Sequence, residues 1–238
     1  MPASTPTSPP AYHDYFRTLH DLLDTVRKDE AGAIDAAAHR IATALRDHKR
    51  VALFGTGHSS LLALELCGRA GGLTGIEIIH NATLSMAEGL SKSTAAERLG
   101  GYGEMLVREA RLAAGDVLLV ISNSGRNAVP VEALATARAL GVHTIALTSL
   151  AHSQSTAPRQ PAPGRLFDYA DIVLDNHGAP GDACVDLPGV AHAVGPTSTV
   201  VGAAILQAVA LRAMELLAAS GHPPDVYLSA NVDPMAAQ

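Results

Sequence analysis

The chain has 238 residues, of which 47% are hydrophobic, 17% charged and only 3% aromatic, with no Trp. That composition supports a sizeable core built from Ala, Val, Leu and Ile and excludes wholesale disorder. A net charge of −6 excludes a broadly basic nucleic-acid surface. It leaves an anionic ligand open, because backbone N–H groups at a helix start bind anions without a basic surface.

Residues Met1 to Pro10 hold Pro, Ser and Thr without an apolar segment. They read as a disordered N-terminus with no targeting signal, ahead of one domain over 11–238. Two amphipathic helices follow. In Ala11 to Lys28, Tyr12, Phe16, Leu19, Leu23 and Val26 recur at helical steps; in Ala31 to His48, Ile34, Ala37, Ala38, Ile41 and Leu45 do the same.

The pattern then changes to five short, nearly continuous apolar runs: Val51–Phe54, Ile76–Ile79, Val117–Ile121, Thr144–Leu147 and Ile172–Leu174. Such runs are expected of strands covered on both faces. Helical stretches over Ser59–Ala70, Gly103–Ala113 and Val129–Leu140 lie between them, and a last helix runs from about Ser198 to Ser220. Alternating strand and helix predict a parallel sheet with right-handed crossovers. Ser153 to Gly164, with three prolines, reads as an exposed loop. Val200 to Ala219 is interrupted by Gln207, Arg212 and Glu215, so it reads as a helix of a soluble, cytoplasmic protein and not as a membrane span. Cys67 and Cys184 lie in no CxxC pair and read as two buried thiols.

In open α/β sheets, ligands bind just beyond the carboxyl ends of the strands. Here those ends carry Gly55-Thr56-Gly57-His58-Ser59-Ser60, His80-Asn81, Ser122-Asn123-Ser124-Gly125-Arg126-Asn127, Thr148-Ser149 and Asp175-Asn176-His177. Such residues are also ordinary in turns, but all five ends agree. The third connection is an anion trap. Gly125 permits a sharp turn, the next helix directs free N–H groups at it, and Ser122, Ser124 and Asn127 add donors. Arg126 is either a further cation for the anion or a solvated side chain. Gly57, Ser59, Asn123 and Ser149 complete the ligand-binding candidates. Gly55-Thr56-Gly57 is not a dinucleotide fingerprint, since Ser60 holds the third glycine position and His80, not an acid, follows the second strand.

Phe54-Gly-Thr-Gly-His-Ser-Ser60 and Val120-Ile-Ser-Asn-Ser-Gly-Arg-Asn127, one strand–helix unit apart, resemble the SIS (sugar isomerase) domain. Arg69-Ala-Gly-Gly-Leu73, Glu97 to Tyr102, Asp175 to His177, Gly195 to Thr199 and Ser229 to Asp233 look like a bacterial subfamily of stand-alone SIS proteins related to phosphoheptose isomerase. The resemblance implies an α/β fold: a three-layer αβα sandwich around a five-stranded parallel sheet in flavodoxin-like order, with the two N-terminal helices and the long C-terminal one. It implies a phosphosugar at the strand ends, contacted by Ser122, Ser124 and Asn127 at the phosphate and faced by Gly57 and His58 at the sugar. Ser198 and Thr199 would close the site. It also implies a homodimer or homotetramer with sites near subunit interfaces.

The match departs from phosphoheptose isomerases and the related etherases at one point. Their catalytic Glu falls at the register of Arg69, and the Glu and His of the phosphoheptose isomerases' last helix have no counterpart between Thr197 and Gln207. Aldose–ketose isomerisation needs a base near carbon and a group that manages the oxygen protons. Glu65, one helical turn before Arg69, with His177 and His58, is the expected catalytic set. His80, Glu88 and Asp182 are further candidates, and Glu97, beside Arg98, reads as a surface charge pair. Three histidines at one edge raise the question of zinc, but no H-x-H or H-x-x-x-H spacing supports it, so no metal and no cofactor are expected. The expected function is an aldose–ketose isomerase of a sugar with an anionic tail, phosphate first. A 6-sulfo sugar such as sulfoquinovose, a non-catalytic phosphosugar sensor, and a lyase or etherase reaction on an amino-sugar phosphate are the alternatives. Nucleic acid and membrane are not expected partners.

Overall fold

The computed structural model describes residues 9–229 and residue 231. The disordered segment expected over residues 1–10 lies, except for its last two residues, outside the described residues, as do three residues of the 229–233 motif.

Helices α1 (Tyr12–Asp29) and α2 (Ala31–Arg46) open the fold. The central sheet contains β1 (Val51–Gly55), β2 (Ile76–Ile78), β3 (Val117–Ile121), β4 (His143–Thr148) and β5 (Ile172–Asp175). Its order is β2-β1-β3-β4-β5 and every pairing is parallel. Between strands lie α3 (Ser59–Leu66), α4 (Leu90–Ala96), α5 (Tyr102–Ala110), α6 (Ala128–Ala139) and α7 (Leu150–Ser155); α8 (Ser198–Ala219) closes the chain.

Strand side chains alternate between two cores, as the pleat requires. Val51, Leu53, Val117, Leu119 and Ile121 pack under α1, α2, α3 and α8. Ala52, Phe54, Leu118 and Val120 pack under α4, α5 and α6. The result is three layers, αβα, as expected. By length and composition α8 would cross a membrane, but it is a core helix: Val201, Ile205, Leu206, Val209 and Ala213 on one face are buried in the first core.

Four local features differ from the sequence expectation. Helix α3 ends at Leu66 rather than Ala70, because Gly71 donates its N–H to the Tyr227 carbonyl at 2.8 Å and Gly72 accepts from the Tyr227 N–H at 3.0 Å. The long-range pairing outweighs one more helical turn. The exposed loop expected from Ser153 begins instead inside α7, where Ser153 is fully buried, and Ala162 is buried as well. Finally, a two-stranded antiparallel ribbon, β6 (Ala183–Val185) with β7 (Val194–Pro196), pairs Ala183 with Pro196 and so sets Asp182 beside the start of α8. Its strands are too short to show as alternation. Cys67 and Cys184 are partly exposed free thiols, not the buried pair expected.

Candidate active site

From β1 the chain crosses through α3 to β2 on one side, and from β3 through α6 to β4 on the other. The carboxyl ends of β1 and β3 therefore form the switch point where such sheets hold ligands. Both turns there are built by close approach. A Cβ on Gly55 would stand 2.5 Å from the Ser59 carbonyl oxygen, so glycine alone lets α3 start against the strand. Gly125 has φ +55°, and a Cβ there would stand 2.9 Å from Ser153 Oγ and 3.0 Å from Thr148 Oγ1.

On the α3/α8 side, a cavity of about 240 Å³ opens at the strand ends. It is lined by His58, Ser59, Asn123, Asn176, Asp182, Ser198 and Thr199 over an apolar floor of Leu62, Ile121, Leu147 and Pro196. The expected His58, Ser59, Asn123, Ser198, Thr199 and Asp182 thus come together from four parts of the chain. Asn176, which the sequence places at the fifth strand end without a role, joins them. Its Nδ2 donates to Asn123 Oδ1 at 2.8 Å and its Oδ1 accepts the Gly178 N–H at 2.9 Å, which fixes the Asn123 amide. Asp182 accepts the N–H groups of Thr197 at 3.1 Å and Ser198 at 2.8 Å, and the Ser198 hydroxyl at 2.5 Å. It is the cap of α8, taking up donors that a helix start leaves free. Among the described residues, no Lys or Arg lines the cavity.

Other expected residues stand elsewhere. Glu65 lies on α3 in an ion pair with Arg69, which follows the helix end, and does not line the cavity. His177 does not line it either: its Nε2 meets Glu30 Oε1 at 3.1 Å and its Nδ1 lies 3.7 Å from Asp175 Oδ2, so two carboxylates hold it at the α1–α2 corner. Glu30 precedes His177 by 147 residues, and nothing in the sequence pairs the two. His80 faces a separate groove with Arg50, Glu77 and Glu109, so the three strand-end histidines do not converge. Glu88 is exposed and pairs with Lys92.

Several hydroxyls of the anion trap serve the turns themselves. Ser122 Oγ accepts the Gly125 N–H at 3.2 Å. Ser149 is fully buried, donates to the Gly178 carbonyl at 2.6 Å and caps α7 by accepting the His152 N–H at 3.0 Å. The Gly57 N–H donates to the Leu84 carbonyl at 2.8 Å. Ser124 and Arg126 are partly buried in the turn and do not line the cavity.

Glu97 corrects the sequence reading most sharply. It is not a surface charge. Its carboxylate accepts from Thr56 Oγ1 at 2.8 Å and from Asn127 Nδ2 at 2.7 Å, tying the β1 turn to the β3 turn at the switch point. Burial holds its carboxyl above the usual range, against the opposing pull of the Thr56 hydrogen bond and of Arg98 and Arg159. The neighbouring Arg98 made it look like half of a surface pair; only the packing of α4 turns it inward.

A sequence profile described as the SIS domain matches residues 14–149. A UPF0309 protein of Geobacillus thermodenitrificans is 37% identical over 219 residues, covering 92% of this chain and 88% of its own. One from Streptomyces griseus is 40% identical over 224 residues, with shares of 92% and 88%. Among solved structures, a phosphoheptose isomerase from Francisella tularensis superposes with a TM-score of 0.58 at 18% identity, covering 85% of this chain and 95% of its own. The phosphoheptose isomerase of Neisseria gonorrhoeae gives 0.55, also at 18% identity, with shares of 85% and 96%.

Proposed function

This chain belongs to the SIS domain family, and on that premise we propose that it is an aldose–ketose isomerase acting on a sugar with an anionic tail. The sugar lies in the strand-end cavity, with its anionic group toward the Ser122–Asn127 turn. One observation carries the reading: His58, whose side chain makes no hydrogen bond among the described residues, stands in the same cavity as the oriented amide of Asn123.

In the open-chain aldose, His58 removes the proton from C2 and returns it to C1, by way of an enediol. The Asn123 amide, oriented by the Asn176 bond to its oxygen, has no partner for its N–H₂ among the described residues and supports the oxygen on which charge develops. The Ser198 hydroxyl, hydrogen-bonded to the Asp182 carboxylate, relays the proton between O1 and O2. The tail is a phosphate, as in the isomerases that share the fold; a 6-sulfonate has the same tetrahedral oxygens and is the second choice.

The test is deuterium exchange at C2 in a panel of sugar phosphates and 6-sulfo sugars. His58→Gln is expected to lower exchange by about 10²-fold or more, the usual scale for loss of a positioned base. No exchange with any sugar by the unaltered protein would sink the isomerase reading. The cavity's one carboxylate, Asp182, is already engaged, which favours a second reading as a phosphosugar sensor. That reading predicts ligand-induced thermal stabilisation without exchange.

The assembly is a homo-oligomer. Leu61 and Leu64 on α3 and Val200 and Leu211 on α8 are exposed large apolar side chains on the two helices that also line the cavity. A second copy covers this face. Light scattering is expected to give a dimer or larger, and Leu64→Asp a smaller species.

A further inference from the structure

Three arginines from three separate segments come together beside the Ser122–Asn127 turn, outside the lining of the cavity. The segment carrying Arg159 is fixed at both ends. The Arg159 N–H donates to the Arg126 carbonyl at 3.1 Å, and Pro161 sits so close to Gly100 that a Cβ there would stand 2.8 Å from its Cγ. Gly100 is two residues after Arg98, so the one segment draws Arg98 and Arg126 together.

The nearby acids are already engaged. Glu97 takes Thr56 and Asn127, and Glu132 accepts the N–H groups of Gly101 at 2.9 Å and Gly103 at 3.2 Å. Among the described residues, Arg98, Arg126 and Arg159 appear in no ion pair; the arginines that do are 17, 27, 46, 50, 69, 108 and 212. The Nε atoms of Arg126 and Arg159 are buried without a hydrogen-bond partner. A buried guanidinium donor left unmade is costly, so such a pair implies a partner that arrives from outside the chain. Burial and the positive charges of Arg98 and Arg126 also hold the Arg159 guanidinium below its usual range, with only Glu97 opposing.

We propose that Arg98, Arg126 and Arg159 form an oxyanion-binding site, and that its ligand is a phosphoryl group. Three guanidinium groups beside one turn match the several oxygens and near-double charge of a phosphate better than the single charge of a sulfonate. The cavity itself offers the reverse electrostatics, with one carboxylate and no cation. The site deepens the reading above, on which it rests for the phosphate's being the sugar's tail; the anion site itself does not depend on turnover.

The experiment titrates inorganic phosphate into the full chain by calorimetry at fixed ionic strength. Arg159→Gln and Arg98→Gln are each expected to weaken phosphate by about 10-fold or more, the scale of one charge-assisted contact, while Arg108→Gln, at an exposed arginine already paired with Glu104, leaves it unchanged. Arg98 is exposed, so its variant keeps the test valid if Arg159→Gln does not fold. Phosphate binding that survives both Arg98→Gln and Arg159→Gln, or that is weakened as much by Arg108→Gln, overturns the proposal, as does the absence of saturable binding by the unaltered chain. A parallel titration with sugar phosphates separates the two sources of the anion. Equal weakening of sugar phosphate assigns the site to the sugar's tail; weakening of inorganic phosphate alone assigns it to a separate anion. Failure of the isomerase reading shows instead as absent C2 exchange with phosphate binding intact.

Discussion

Asn127 donates its side-chain N–H to the carboxylate of Glu97 across 2.7 Å, and this contact joins the turn after β3 to α4. With the Thr56 bond to the other carboxylate oxygen, it closes the switch point between β1 and β3.

The folded chain holds the Glu97 carboxyl above its usual range because it is buried. It therefore binds a proton that the unfolded chain releases at lower pH. Stability conferred by the protonated group is full below the ordinary carboxylate range and is lost as pH rises through the raised value. Glu97→Gln is expected to remove this fall. Its amide keeps the Thr56 bond, and the Asn127 Oδ1, buried without a partner, accepts from it once the Asn127 amide turns over. Urea unfolding between about pH 4.5 and pH 8 reads the slope. A variant as pH-dependent as the parent would count against a buried, strained acid.

His152 carries the opposite sign. Burial pushes its imidazole below the usual range, Asp182 pulls it up, and Arg126 pushes it down. The unfolded chain then binds the proton first, so this stability is present above the ordinary imidazole range and is lost as pH falls through the depressed value. His152→Gln is expected to flatten the acid side of the same urea series. An unchanged acid limb would show that His152 contributes nothing.

Asp182 caps α8 while sitting at φ +67°, a backbone conformation that Asn tolerates and Ala does not. Asp182→Ala is expected to cost about 2–3 kcal/mol, since it leaves several buried donors unmade. Asp182→Asn should cost less, as its oxygen still accepts from the helix start. Thermal denaturation of the two variants is the check; equal losses would mean that the charge matters more than the acceptor geometry.

Gly125→Ala is expected to destabilise by about 1–3 kcal/mol, because φ +55° and the nearby Ser153 and Thr148 hydroxyls both resist a Cβ. It should also weaken ligand binding, since the same turn carries Asn123 and Arg126. A variant with parental melting temperature and parental affinity would show that the turn relaxes freely.

The sequence by itself determined the layers and the edge of the sheet at which to look. Short continuous apolar runs alternating with amphipathic stretches force a parallel sheet covered on both faces, and a parallel sheet puts all its carboxyl ends on one side. His58, Ser59 and Asn123 were legible for that reason, as strand-end residues, whereas Ser198 and Thr199 followed only from the resemblance to the SIS domain. Tertiary structure alone decided which polar groups are spent and which remain free. Ser122, Ser149 and Asp182 satisfy backbone donors, His177 is held by Glu30, and Glu65 pairs with Arg69 just past its own helix, because a donor or charge takes whichever partner packing supplies. Local spacing carries no trace of contacts made across 147 residues, as between His177 and Glu30. For the same reason Glu97 passes in the sequence for half of a surface pair with Arg98. Only the folded chain turns its carboxylate in toward Thr56 and Asn127, and brings Arg98 beside Arg126 and Arg159.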